Sequence, residues 1–344
     1  MSSQNDRILM KHGAGGRAMR KLVEDVFVKD APDGLPEGSV GLSAMDDGAA
    51  IPIGGGKFLV VTADSHVISP IFFPGGDIGR LSVSGTVNDL AMMGATSVLA
   101  LTCAVILEEG FPREELERIQ ASIRATCKEA SAPIVTGDTK VMGRGEIDGI
   151  VISTTGVGIT EHVIRDAGFR AGDRVIVTGT IGDHGLAVLS ARHNLGIEGD
   201  LRSDVAPIGS LVALVMARHP GAITAMKDPT RGGVASALHE MAHKAGVGVV
   251  LDQNALPISS EVRGAAELLG IDPLVVANEG KAVMGVRAED ADAVVATLRE
   301  HPLGKSAAII GTVTSDRPGS LVLDTGFGRR LVAEPEGEPL PRIC

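Results

Sequence analysis

The sequence predicts an α/β protein of two domains, and three observations carry that prediction. The chain has 344 residues, more than one ordinary hydrophobic core serves. Apolar strand-like runs alternate along it with segments of helical periodicity. The core must be aliphatic, because aromatic residues make up only 2% of the chain, with no Trp and no Tyr; 45 glycines supply many short turns.

Lys11-His12-Gly13-Ala14-Gly15-Gly16-Arg17 precedes a helical stretch from Met19 to about Phe27. A glycine-rich loop opening a helix exposes backbone N–H groups that can bind phosphate. It is not a Walker A sequence and no strand clearly precedes it, so a flexible N-terminal loop is the competing reading. Residues 57–63 read as a buried strand ending at Asp64, and a helix from about Asp77 to Met93 carries Asn88 and Asp89. Val98 to Leu107 is a strand and Arg113 to Ala130 an amphipathic helix. Pro133 to Asp138 reads as a short strand ending in an acid, and Ile147 to Ile159 as a strand rich in β-branched residues.

Turn chemistry at Arg170-Ala171-Gly172-Asp173 starts a second unit. Arg174 to Gly179 is its first strand, and Gly182-Asp183-His184-Gly185 opens a helix through about His193. Met226 to Gly233 leads into a helix to about Ala245, and Val247 to Leu251 follows as a strand. The expected domains are 1–168 and 169–328, with a tail over 329–344. Between Val332 and Pro341 the tail has three prolines, one glycine and three glutamates, which suits neither helix nor central strand. It reads as a solvated arm, able to extend roughly 45 Å at about 3.3 Å per residue. The arm ends in Cys344, and a thiolate at its tip could visit an active site and leave it again.

Composition excludes several classes. A net charge of −11 and the shortage of aromatics argue against nucleic-acid binding. No apolar run reaches the ~18 residues of a membrane span, and Met1 to Lys11 lacks the apolar stretch of a signal peptide. Three cysteines make no disulfide framework; Cys103 and Cys127 read as buried, unreactive thiols. The expected compartment is the cytoplasm, where Cys344 stays reduced.

Acids recur at the ends of apolar runs: Asp46 and Asp47, Asp64, Asp89, Asp138 and Asp228. Strand ends and helix starts are where α/β proteins build sites. Converging carboxylates need a counter-charge, and Mg²⁺ is the usual one, bringing nucleotide phosphates with it. Each acid alone also suits a turn or a helix cap. His66 and His184 sit beside candidate acids, but lone histidines without paired spacing do not make a zinc site.

Several of these segments together resemble the HypE family of hydrogenase maturation proteins. They are Asp46-Asp47-Gly48-Ala49, Val61 to Val67, Asn88-Asp89-Leu90-Ala91-Met92-Met93-Gly94-Ala95 and Gly137-Asp138-Thr139-Lys140-Val141. Lys227-Asp228-Pro229-Thr230-Arg231-Gly232-Gly233, Asn278-Glu279-Gly280-Lys281 and the ending Pro341-Arg342-Ile343-Cys344 complete the set. The resemblance runs over nearly the whole chain. It implies the two-domain fold of the aminoimidazole ribonucleotide synthetase and selenophosphate synthetase superfamily, with N-terminal domains paired in a homodimer and a flexible C-terminal tail.

The resemblance also implies a reaction: ATP-dependent dehydration of a carbamoyl group on Cys344 to a thiocyanate, supplying the cyanide ligand of nickel–iron hydrogenase. The implied partners are the carbamoyltransferase HypF and the HypC–HypD iron scaffold. ATP would be held by His12, Gly13, Gly15, Gly16, Asp46, Asp64, Asn88 and Asp138, and Mg²⁺ by Asp47, Asp64, Asp89 and Asp228. Glu279 would take the amide proton and Lys140 polarise the group or relay the proton. The alternatives are a small-molecule kinase of the same superfamily, disfavoured because the glycine loop holds no cysteine, and a nucleotide-binding scaffold whose tail only docks a partner.

Overall fold

The computed structural model describes residues 7–31, 34–197, 199–336 and 343. The glycine loop leads into a short helix, α1 (Gly16–Leu22), continued by a wider turn over Val23–Val28. A hairpin follows, β1 (Ala49–Gly54) against β2 (Lys57–His66). Its turn, Gly54-Gly55-Gly56, runs at φ of 87°, 61° and 74°, a conformation that glycine adopts without strain. A small ribbon of β3 (Phe72–Phe73) and β4 (Gly76–Asp77) delivers the chain to α2 (Ile78–Met92). Asp77 caps that helix, accepting from the Gly79 and Arg80 amides at 2.8 and 3.0 Å.

The domain is completed by β5 (Ser97–Glu108), α3 (Arg113–Glu129), β6 (Ile134–Met142) and β7 (Ile150–Thr160). Its sheet has the order β1-β2-β7-β5-β6, antiparallel except for the parallel pair β5–β6. Helix α2 lies against this sheet, and the approach is close: a side chain at Gly156 of β7 would stand 2.8 Å from the Thr86 methyl. Every residue of α2 is buried except Arg80 and Asp89. A helix covered on all sides must lie between two layers, and here the covering beyond the sheet comes from Ile119 and Ile123 of α3 together with the other domain.

That domain comprises β8 (Arg174–Val177), α4 (Asp183–His193), α5 (Gly209–Arg218), β9 (Ile223–Lys227), α6 (Gly233–Ala245) and β10 (Gly248–Asp252). It continues through α7 (Ser260–Leu269), β11 (Val283–Val286), α8 (Ala291–Glu300), β12 (Ala308–Thr314), β13 (Leu321–Asp324) and β14 (Arg329–Val332). The seven strands run β14-β13-β10-β12-β8-β11-β9. Alternation sets the two faces. Val175 and Val177 of β8 join Val234, Leu238 and Met241 of α6 in one core, while Ile176 joins Leu211 and Val215 of α5 and Leu298 of α8 in another. Ala91 and Met92 of α2 belong to this second core, and Leu186 of α4 and Val262 of α7 belong to the core under the first sheet. The two domains therefore share apolar interior, which fixes the cleft between them.

Two segments depart from the sequence reading. The strand expected to stop at Asp138 runs on to Met142, paired in parallel with β5 from Leu101↔Ile134 to Glu108↔Met142. It is an edge strand exposed on both faces until its last residue. Burial cannot be read from β-branched composition alone, because an edge strand and a buried one use the same residues. The second departure is the tail. Leu331 and Val332, placed in the solvated arm by composition, pair in β14 with Val322 and Leu321. Beyond β14 the chain crosses α1. The Arg17 amide donates to Pro335 O at 3.0 Å, and Arg20 pairs with Glu334 at 2.8 Å with both side chains under 20% exposed. The open pair Arg17–Glu336 adds only about 0–1 kcal/mol. Residues 337–342 and Cys344 of the expected mobile arm lie outside the described residues. Ile343 is described, and it is buried, with 1% of its surface exposed.

Candidate active site

The shared interior leaves one acid-lined cleft of about 450 Å³ between the domains, within the usual size of a small-ligand site. Strand β2 brings Thr62, Asp64 and His66 to it, and α2 brings Asp89, the residue its burial pattern leaves open. Asp46 and Asp47 come from the loop before β1, Lys227 from the end of β9, and Asp228 and Arg231 from the turn before α6. Glu279 arrives on the segment before β11, and Gly15 and Gly16 complete the lining beside the Arg231–Gly232 turn.

The glycine loop is held by shape. Gly15 has φ of +77°, and a Cβ there would stand 2.7 Å from Arg231 O. Gly15→Ala is therefore expected to cost about 1–3 kcal/mol. The loss should read as a lower melting temperature or, where the loop gives way instead, as weaker nucleotide binding by calorimetry. A variant unchanged in both would contradict this packing.

The acids sit in a web of few cations. Thr62 Oγ1 lies 2.8 Å from Asp89 Oδ2 and 2.9 Å from Asp47 O. Lys227 Nζ bonds Asp47 and lies 3.6 Å from Glu240 and 3.9 Å from Asp166. Burial works against the charge of Lys227, but Asp47, Glu240 and Asp166 outweigh it and keep the ammonium firmly protonated. Burial, followed by the charges of Asp228, Asp64 and Asp47, pushes Asp89 well above the carboxylate range. Burial and then Asp47 push Asp228 to about 8. Asp64 goes the other way: burial would raise it, but His66, whose Nε2 stands 3.0 Å away, and Arg231 hold it low.

Glu279 is the most exceptional group. It is 4% exposed, and its Oε1 has no hydrogen-bond partner among the described residues. Burial, then Asp228 and Asp204, raises its carboxyl well above its usual range. Its backbone is clamped. The Glu279 and Gly280 amides donate to Asp204 at 3.1 and 3.3 Å, and Asn88 Nδ2 donates to Glu279 O at 3.3 Å. A buried polar atom left unpaired inside a fixed frame costs stability, which is the signature of a group kept for a ligand or a reaction.

The residues singled out from the sequence thus separate. Gly15, Gly16, Asp46, Asp47, Asp64, Asp89, Asp228 and Glu279 line the cleft. Asp46 also braces the domain linker, accepting from Arg165 Nε at 3.2 Å and the Asp166 amide at 2.9 Å. Asn88 is buried beneath, tied to Ala206 O, Glu279 O and the Ile208 amide. His12 lies in the turn before the glycines, where its Nδ1 accepts from the Leu9 amide; neither it nor Gly13 lines the cleft. Asp138 and Lys140 stand together on exposed β6, 3.3 Å apart, outside the cleft. Cys344 lies outside the described residues. Cys103 is buried and Cys127 half-buried, and burial raises both thiols. Thr62, Lys227 and Arg231 are cleft residues that were not singled out. Lys227 and Arg231 flank Asp228 in sequence, so a cation on either side of a candidate ligand was the available signal.

A hard divalent cation fits this donor set. Seven carboxylates, those of Asp46, Asp47, Asp64, Asp89, Asp228, Glu240 and Glu279, line the cleft against four cations, Arg20, Lys227, Arg231 and Lys244. Among the described residues no three of these groups stand close enough to hold an ion unaided, so phosphate oxygens would have to complete its shell.

Residues 45–160 match the family model of the AIR synthase related protein N-terminal domain, and residues 170–324 that of its C-terminal domain. Fold and cleft together define the class: a two-domain protein of the AIR synthase related superfamily. The carbamoyl dehydratase HypE of Cupriavidus necator is 47% identical over 347 residues, covering 100% of this chain and 97% of that protein. The crystal structure of a HypE–HypF complex matches with a TM-score of 0.84 at 41% identity, over 91% of this chain and 99% of that one. The crystal structure of HypE in complex with ATP matches with a TM-score of 0.80 at 40% identity, over 98% of this chain and 100% of that one. The chain belongs to the HypE family of hydrogenase maturation proteins.

Proposed function

We propose that the protein is an ATP-dependent carbamoyl dehydratase that acts on a carbamoyl group carried by its own Cys344, for the maturation of nickel–iron hydrogenase. The observation that supports this most is the buried Glu279 carboxyl, whose Oε1 has no partner among the described residues, in an acid-lined cleft that Gly15 and Gly16 also line. The amide oxygen is a very poor leaving group and must be activated. It attacks the γ-phosphorus of ATP, the bond from that phosphorus to the ADP oxygen breaks, and one N–H proton is lost, leaving an O-phosphorylated imidate. The C–O bond then breaks with departure of phosphate, the second N–H proton leaves, and a thiocyanate remains on sulfur.

Phosphoryl transfer depends on positioning and charge neutralisation. Asp47, Asp64, Asp89 and Asp228 would hold Mg²⁺, and Lys227 and Arg231 supply fixed positive charge to the same cleft. When bound, Mg²⁺ neutralises phosphate and carboxylate charge together. Added positive charge also draws the Glu279 carboxyl down, so that it can ionise and accept the N–H proton. Gly15 and Gly16 would cover the phosphates.

The carbamoyl group would come from HypF and the cyano group would pass to iron on the HypC–HypD scaffold, in a reducing compartment such as the cytoplasm. Among the described residues no helix is long and apolar enough to cross a membrane. Cys344→Ala tests the carrier role. The variant should bind ATP as before, accept no carbamoyl group and yield no thiocyanate. Product formation by that variant would refute the assignment and favour a free small-molecule substrate.

A homodimer belongs to the same proposal, and β6 supports it. An exposed edge strand with outward Ile134, Val135 and Val141 invites pairing with another chain. Lys140, with its role at the carbamoyl group, would reach a site only across such an interface or after a rearrangement. Val135→Glu together with Val141→Glu is expected to give a monomer in sedimentation velocity. An unchanged dimer would place the interface elsewhere.

A further inference from the structure

The cleft does not account for a second buried polar group, His184, on the first turn of α4. Its ring is fully buried and makes two hydrogen bonds, Nδ1 to Ser203 Oγ at 2.7 Å and Nε2 to Ile343 O at 2.5 Å. The chain of donors fixes the direction of both. The Ile343 carbonyl can only accept, so Nε2 carries the ring proton and donates to it. In the neutral ring Nδ1 then accepts from the Ser203 hydroxyl, whose oxygen accepts in turn from the Val205 amide at 3.1 Å. Burial lowers the pKa of the ring, so it stays neutral and the tautomer is unambiguous. The edge of the ring is fixed by Phe73, packed at right angles with centroids 5.5 Å apart. The Ile343 side chain belongs to the same buried cluster as Phe73, Leu186, Leu201 and Val205.

We infer that His184 is a positioning residue and that, with the apolar pocket around it, it forms a peptide-binding subsite for the residue before the terminal cysteine. The subsite takes one backbone carbonyl and one β-branched apolar side chain. It sets the register of the tail, because the carbonyl of residue 343 is held one residue before Cys344. The same loop also sets the reacting end: Ser203 is followed by Asp204, whose carboxylate receives the Glu279 and Gly280 amides and pairs with Lys281 at 3.2 Å. Anchor and proton acceptor thus share a three-residue support, 203–205, which Arg80 braces by donating to Val205 O at 2.8 Å. The inference rests on the proposal that Cys344 carries the substrate.

Two readouts test it in the full-length protein. The first is trypsin cleavage at the Arg342–Ile343 bond, followed by C-terminal peptide mass spectrometry. It needs no chemistry at Cys344. Loss of the His184 hydrogen bond in His184→Ala should speed cleavage about tenfold. His184→Gln, which keeps a donor near the Nε2 position, should restore most of the protection. Ile343→Ser, a change in the tail that cannot unfold the domains, should behave like His184→Ala. The second readout is single-turnover water loss from the carbamoylated protein at saturating ATP–Mg²⁺. Misplacing the carbamoyl group by about an ångström should slow it on the order of 10²-fold, with the affinity for ATP unchanged. Cleavage at the wild-type rate in both His184→Ala and Ile343→Ser would overturn the anchor. Wild-type protein that never loses water while its tail remains protected would instead overturn the dehydratase reading and leave the anchor supported.

Discussion

Glu279→Gln should stop the reaction with the carbamoyl group still on Cys344. The substitution keeps the shape of the side chain and leaves the Asp204 and Asn88 contacts to its backbone intact. It removes the group best placed to take the amide proton. Loss of a general base costs on the order of 10²–10⁴-fold in rate. The amide also cannot ionise, so it escapes the burial and the Asp228 charge that raise the Glu279 carboxyl, and the variant should melt no lower than the parent. Nucleotide affinity, measured by calorimetry, should stay within a few-fold of it. A variant that dehydrates at the parent rate would remove Glu279 from the chemistry. One that cannot bind ATP would make it a nucleotide ligand instead.

Asp228→Asn should separate stability from activity. Catalysis should fall on the order of 10²–10³-fold, the cost of losing one preorganised charge at a phosphoryl centre, while the nucleotide-free protein should gain stability at alkaline pH. The sign follows from the proton. The folded state holds it on Asp228 up to about 8, against an ordinary value of 3.8, whereas the unfolded chain releases it near 4. Between those values the folded state binds the extra proton, so stability falls as pH rises. Asp166, also pushed to about 8, chiefly by burial, adds to the same slope. Removing Asp228 should flatten the curve by up to about 1.4 kcal/mol per pH unit across that window and leave the contribution of Asp166. Chemical denaturation at pH 6 and pH 9 measures it. A steeper pH dependence in the variant would contradict the assignment of the repulsion to Asp228.

Much of this molecule is legible locally. The expected bounds of α2 fall within a residue of those observed, and the run read as a buried strand ending at Asp64 is β2, which continues to His66 and is buried only in part. The acids were legible as positions at the ends of elements. Their convergence was not, since it depends on β2 pairing with β7, some 90 residues on, and on α2 lying between two domains. Asn88 and Asp89 show the difference. Adjacent in sequence and equally polar, one is sealed beneath the cleft and the other opens into it, because successive helix positions point about 100° apart. The exposure of β6 was hidden for another reason: its outward Val135 and Val141 have the composition of a core strand. The prolines of the tail gave no warning that residues near its two ends are held, Val332 by β13 and Ile343 by His184.

The central claim is that one polypeptide carries the carbamoyl group and dehydrates it. Mass spectrometry of the C-terminal peptide tests this most directly, after incubation with the carbamoyltransferase and carbamoyl phosphate, with and without ATP–Mg²⁺, using Glu279→Ala as the control for ATP use by the transferase. The expected result is a carbamoyl adduct on Cys344 that loses one water in the wild type with ATP–Mg²⁺ and persists in Glu279→Ala. An adduct that never loses water in the wild type would leave a carrier without a catalytic site. No adduct on Cys344 at all would contradict the account at its root and return a free small molecule as the substrate.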